Sequence, residues 1–407
     1  MGFLSDIKEK ALVYDGSKGY MLQLMGLAPG ESPENWNLTH RDKVKKVYLD
    51  YIESGCDVIQ TNTFTGNRIQ LEKHGLQDVT YEVNYQGTLL AKEAAAGKNV
   101  YVAASIGPTG VLMEPSGTMT FENAYEVFKE QIQAVIDGGA DIINFETFTD
   151  VSEMRAAIIA SKETASVPVI ASMAFEQNFR TLMGTTPFAC AKIMLAVHAD
   201  IIGTNCSFGP ESMKEIVSEM AKTGTFISVK PNAGLPTLEN GMTKYHQNAH
   251  EFNDIVCEYT KYHAHLVGGC CGTTPDFTKI IKDNISLKTY QGEIDDRQYL
   301  FSLSKQVVLD EPYRIGKIEI NDSMTMDDIL DEVYDAVYED VEVIEIAYSG
   351  SDCDLLRETI RNAQNIIKQP VILHSENQTA VENALRIYNG IAGIRKPVSN
   401  NYGAIVI

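Results

Sequence analysis

Three cysteines stand where chemistry could be done. Cys206 closes the apolar run DIIGTNCS, and Cys270-Cys271 close HLVGGCCG as an adjacent pair between glycines. Thiolate sulfur is a soft ligand, and three thiolates with an open fourth position suit tetrahedral zinc. The glycines let the backbone turn tightly enough for neighbouring cysteines to face one ion. A free thiol is mostly protonated at neutral pH, whereas a metal-bound thiol is a thiolate. Three anionic sulfurs leave the ion with a net negative charge, so a further bound thiolate keeps its nucleophilicity, which fits attack on a methyl group. The competing reading of the same residues is a redox-active or merely buried vicinal pair. His246 and His250 are four apart, but no glutamate follows the first, so they read as loop or helix-start polar residues. Cys56, Cys190, Cys257 and Cys353 read as small buried hydrophobes. Seven cysteines, an odd number scattered along the chain, argue against a disulfide framework.

The elements that must position these sulfurs recur regularly. Strand candidates fall at 11–17, 57–64, 99–107, 141–148, 167–175, 200–207, 226–232 and 265–272. Between them lie amphipathic stretches such as DKVKKVYLDYIESG and NAYEVFKEQIQAVIDGG, several ending in glycine as helices do. This alternation predicts an α/β fold, a (β/α)8 TIM barrel over residues 1–287. A dinucleotide-binding sheet would carry a GxGxxG after a strand, and the chain has none. Each run begins apolar and ends polar: Asp15, Thr61 with Asn62, Ser105, Glu146, Asn205 with Cys206, Asn232, and the cysteine pair. In a barrel such ends converge on the rim where active sites are built.

Residues 288–312 have weak periodicity and read as a linker. A second βα series over 313–407 reads as a partial, half-barrel domain. Its first helix carries an apolar stripe of Met326, Ile329, Val333 and Val337. Residues 321–345 hold ten Asp or Glu and no Lys or Arg, a pattern typical of a solvated helix face. The formal net charge of −21 argues against nucleic acid, whose phosphates need a basic face. The N-terminus lacks a secretory signal and no apolar run is long enough to span a bilayer, so the expectation is a cytoplasmic protein without membrane contact.

The segments DGSKGYMLQLMGLAPGESPENWNLTHRD (15–42), QTNTFTGNRIQLEKHGL (60–76), SIGPTG (105–110), NCSFGP (205–210), KPNAGLP (230–236) and VGGCCGTTPDF (267–277) together resemble the zinc-dependent homocysteine methyltransferases. The opening segment is similar to the homocysteine-binding barrel of cobalamin-dependent methionine synthases. The resemblance implies methyl transfer to homocysteine, with Cys206, Cys270 and Cys271 as zinc ligands. It puts Asp15 and Glu146 where the family holds the substrate's amino group, carboxylates being apt partners for an ammonium. Thr61, Asn62, Ser105 and Asn232 follow as contacts to the substrate or to the ligating side chains. The tail resembles the first half of a pterin-binding barrel, through EVIEIAYSG, QPVILHSEN and NNYGAIVI. Its departures fall on chemistry: Glu345 and Ala347 in the second strand, His374-Ser375 in the third, Arg395-Lys396-Pro397 in the last. Methyltetrahydrofolate binding is therefore not expected. The half barrel is instead read as a docking or homo-oligomerisation module with an open sheet edge. The chain has no DxHxxG corrinoid signature. Methylcobalamin, the expected donor, would then arrive on a separate corrinoid protein. The alternatives are betaine or S-methylmethionine as donor, another small thiol as acceptor, or a non-enzymatic zinc or redox sensor.

Overall fold

Residues 2–234, 237–239 and 242–407 are described by the computed structural model, so the last two residues of KPNAGLP lie outside the described residues. Contacts divide the chain into two units, Met1–Thr181 with Ala199–Ile294, and Leu182–His198 with Asp295–Ile407.

Each predicted apolar run of the first unit contains a strand. In chain order they are β1 (Leu12–Val13), β2 (Val58–Gln60), β3 (Tyr101–Ile106), β4 (Ile142–Phe148), β5 (Val169–Met173), β6 (Ile201–Asn205), β7 (Ile227–Lys230) and β8 (Leu266–Val267). All pair in parallel, β1 lying beside β8 and so on in order down to β2. A parallel bridge between Tyr14 and Val58 joins β1 to β2 and brings the sheet round into a barrel. The helices between the strands bury the stripe that the sequence spacing gives them. Arg41–Glu53 turns Val44, Val47, Tyr48 and Tyr51 inward, and the chain leaves this helix through Gly55 at φ +92°. Phe121–Asp137 is capped by the Thr120 hydroxyl and buries Phe121, Ala124, Phe128, Ile132 and Val135.

Alternate strands share one device. An aspartate immediately before β2, β4 and β6 (Asp57, Asp141 and Asp200) accepts the backbone N–H of Val13, Val102 and Val169 on the preceding strand, at 2.8–2.9 Å. Its own N–H donates back to the carbonyl of the same residue. A lysine then pairs with each carboxylate: Lys282, Lys92 and Lys162 respectively. The reciprocal bonds fix the register at which each pair of strands enters the barrel, which in turn fixes how far their polar ends project at the other rim. Before β8 the corresponding residue is His265, whose Nδ1 lies 2.7 Å from the Ile7 carbonyl.

The second unit contains a five-stranded parallel sheet: β9 (Ile315–Ile320), β10 (Val343–Tyr348), β11 (Val371–Ser375), β12 (Gly393–Ile394) and β13 (Ile405–Val406), in that order. The helix Met326–Tyr338 opens with a capping box between Thr325 and Asp328. Of its expected stripe, Ile329 and Val333 are buried, joined by Ala336, while Met326 and Val337 are half-buried. Within 288–312, Tyr299–Phe301 pairs antiparallel with Gln306–Val308. Strands of three residues carry too little alternation to register as a period, which is why this stretch reads as a linker in the sequence. Leu300 of this hairpin forms a cluster with Val343 and Ile372, with Val307, Leu309, Tyr313 and Ile407 packed against it. The hairpin thereby covers apolar residues of this sheet. Further along the same strands stand charged and polar side chains. Glu345 accepts from the Arg395 guanidinium and lies 3.3 Å from His374 Nδ1. The three departures noted in the sequence thus make one ion-paired group on this sheet.

Candidate functional site

At the strand ends of the first unit, the sulfurs of Cys206, Cys270 and Cys271 lie within 4.8 Å of one another. Local geometry explains how. Cys206 and Ser207 both have positive φ, 62° and 58°, an uncommon conformation for side-chain-bearing residues and one that marks strain at functional sites. Backbone bonds hold the corner: Cys206 N–H donates to the Lys230 carbonyl, and Cys270 N–H to that of Pro231. Asn232 Oδ1 accepts from Cys271 N–H at 3.1 Å. The glycines of GGCCG serve two purposes. A Cβ on Gly269 would sit 2.4 Å from Thr273, and one on Gly272, at φ +80°, would fall 2.2 Å from the Tyr245 ring.

Three thiols so close cannot all ionise unaided. Cys206 receives hydrogen bonds from the other two, which lowers its pKa. Cys270 is pushed up, chiefly by Cys206, and Cys271 is raised by both neighbours. Only a cation makes three thiolates compatible here. Tetrahedral Zn–S bonds of about 2.3 Å put sulfurs about 3.8 Å apart, a spacing that this cluster can meet. Among the described residues it is the one group of three or more ligating side chains close enough for a metal. Tyr245, absent from the sequence reading, is hydrogen-bonded to Cys271, and burial followed by the nearby sulfurs raises its phenol above the ordinary range. It lies in an irregular stretch with no spacing to flag it. His250 sits at the start of the helix Ala249–Val256, as expected, and His246 lies beside Thr237. Cys56 and Cys190 are buried, whereas Cys257 and Cys353 are only half-buried.

Of the other expected residues, Asp15, Thr61, Ser105 and Glu146 lie in a polar layer inside the barrel. Asp15 is fully buried; its Oδ1 accepts from Gln60 Nε2 and its Oδ2 from Gln60 N–H and Lys18 Nζ, at 2.8–3.1 Å. Burial raises its pKa, and Lys18 partly opposes this. Glu146 pairs with the ammonium of Lys230 and accepts from the Ser105 hydroxyl. Asn205 ties this layer to the sulfurs, donating to Thr147 Oγ1 at 2.8 Å and pointing to Cys270 Sγ at 3.8 Å. Thr61 accepts from Ser105 N–H and contacts Thr63. Asn62 turns away, bonding the Pro33 carbonyl and Asn37 Oδ1. Asp15, Ser105 and Glu146 thus meet through two residues outside the expected set, Gln60 and Lys230. Both close strands within quoted motifs, at positions that alternation turns toward the interior.

A parallel barrel with three cysteine sulfurs converging at its strand ends is a TIM barrel with a candidate site at the rim where such barrels build their active sites. Residues 12–285 match the homocysteine S-methyltransferase family, and the chain belongs to that family of enzymes. It is 29% identical over 291 residues to a methionine synthase of Mycobacterium leprae and 29% over 290 to one of Mycobacterium tuberculosis. Each match covers 67% of this chain and 24% of the relative, so the chain spans about a quarter of the length of these relatives. Among solved structures it is similar in fold to the homocysteine methyltransferase MmuM of Escherichia coli in its metallated form, with TM-score 0.58 and 21% identity, covering 68% of this chain and 96% of that one. The oxidized form of the same protein gives TM-score 0.58 at 20% identity, covering 67% and 95%. Among the described residues, no helix is long and apolar enough to cross a membrane.

Proposed function

We propose that this chain methylates the thiol of homocysteine to give methionine, on a zinc ion held by Cys206, Cys270 and Cys271. The observation that carries the reading is the convergence of these three sulfurs within 4.8 Å at the strand ends. Bound there, zinc supplies the charge that keeps a fourth sulfur ligand deprotonated and nucleophilic at neutral pH. Asn232 steadies the Cys271 backbone, and Tyr245 flanks its sulfur. Asp15 and Glu146, held by Gln60 and Ser105 respectively, line the polar layer inside the barrel. Thr61 and Asn62 act at one remove, by fixing the strand and loop around them. In the transfer the thiolate lone pair forms the new S–CH3 bond, and the donor leaves with the electrons of the bond it loses.

The donor in this reading is methylcobalamin carried on a separate corrinoid protein, supported by the likeness of residues 15–42 to cobalamin-dependent barrels and by the named methionine synthases. The acidic second unit serves as the docking or self-association surface, and the site is cytoplasmic, where thiols stay reduced. Methionine formation from homocysteine by zinc-loaded protein tests this, with methylcobalamin, betaine and S-methylmethionine supplied in parallel. Turnover with methylcobalamin supports the reading, whereas turnover with an onium donor alone replaces the donor assignment. Zinc-loaded protein that uses none of the three, with or without added corrinoid protein, would contradict the function.

A further inference from the structure

Lys230 closes β7 and is 1% exposed, an unusual place for a lysine. Its ammonium pairs with Glu146, donates to Gln60 Oε1 and lies 4.6 Å from the centroid of the Tyr14 ring. Those contacts match the three N–H bonds an ammonium can offer. Glu146 is equally engaged, one oxygen toward Lys230 and the other accepting from Ser105. Asp15, in the same layer, has Lys18 beside it. Two carboxylates and two ammonium groups make this layer neutral before any ligand enters.

An acceptor's amino group therefore meets an occupied seat. To pair with Glu146 it must expel Lys230 or lie beside a like charge, and in a water-poor interior both are costly. We infer that Lys230 is a selectivity-determining residue. It fills the ammonium seat of Glu146, so that this barrel takes short thiol acids with little regard to an α-amino group. The inference rests on the thiol-methylation reading and names its substrate class. An acceptor lacking the amine, 4-mercaptobutyrate, is then held nearly as well as L-homocysteine.

Calorimetric binding of the two thiols to zinc-loaded protein tests this without a methyl donor. Wild-type protein should bind them with Kd values within about threefold of each other. K230M, which frees Glu146, should shift the preference toward homocysteine by about tenfold or more, while K230R keeps the wild-type ratio. E146Q combined with K230M leaves no unpaired charge to unfold the barrel, and its ratio should stay within about threefold of wild type. A wild-type preference for homocysteine of about tenfold or more, or selective loss of homocysteine in the double variant, would overturn the inference. So would K230M weakening both thiols alike, since Lys230 would then be holding their shared carboxylate. If neither thiol binds wild-type protein, the acceptor reading itself fails and takes the inference with it.

Discussion

Glu153, on the helix Val151–Thr164 of the barrel unit, is 4% exposed. One oxygen accepts both the N–H and the hydroxyl of Thr109, at 2.7 and 2.6 Å, anchoring the SIGPTG segment. Burial raises its pKa from 4.5 to about 7, the Thr109 bonds only partly opposing it. The unfolded chain loses this proton near the ordinary value, so between the two values the folded protein binds more protons. Stability therefore falls as pH rises through that window and levels off above it. A shift of this size corresponds to about 3 kcal/mol. Glu153→Gln keeps an oxygen for Thr109 and removes the proton. Denaturant titrations of both proteins, followed by fluorescence of the single tryptophan, Trp36, which is buried in the barrel unit, give the comparison. Relative to the variant, wild-type protein should lose about 3 kcal/mol between acid and mildly alkaline pH, other groups cancelling. A difference that does not change with pH would mean that Glu153 does not carry the extra proton in the folded protein.

Gly272→Ala should loosen the metal site without unfolding the barrel. At φ +80° with a Cβ 2.2 Å from the Tyr245 ring, it displaces the residue beside Cys271, and zinc affinity measured against a chelator should fall about tenfold or more. Asp200→Ala strips the Val169 N–H and Lys162 of their shared partner, which should cost about 1–3 kcal/mol in the Trp36-monitored unfolding of the barrel unit.

The barrel was legible because its strands are apolar runs set at regular intervals, and their polar ends named the rim. Asp57, Asp141 and Asp200 were legible too, in CDVIQ, ADIIN and ADIIG, but their shared role appears only when neighbouring strands are side by side. The cysteine cluster followed from strand ends alone. The partners of the carboxylates did not, because Gln60 and Lys230 meet Asp15 and Glu146 across the barrel, from strands far apart in sequence. Tyr245 reaches Cys271 from an irregular stretch and left no pattern. In the second unit the charged departures at Glu345, His374 and Arg395 were visible as oddities. Their pairing gives the buried Glu345 carboxylate its partners from the strands that follow it.

The proposed chemistry requires that the three cysteines hold zinc with one position open to a thiol. X-ray absorption at the zinc edge, on protein loaded with one equivalent of zinc, tests it most directly. Three sulfur neighbours at about 2.3 Å should become four when homocysteine is added, and Cys271→Ala should lose one of them. A sulfur count that homocysteine does not change, or an ion bound equally well without Cys271, would contradict it.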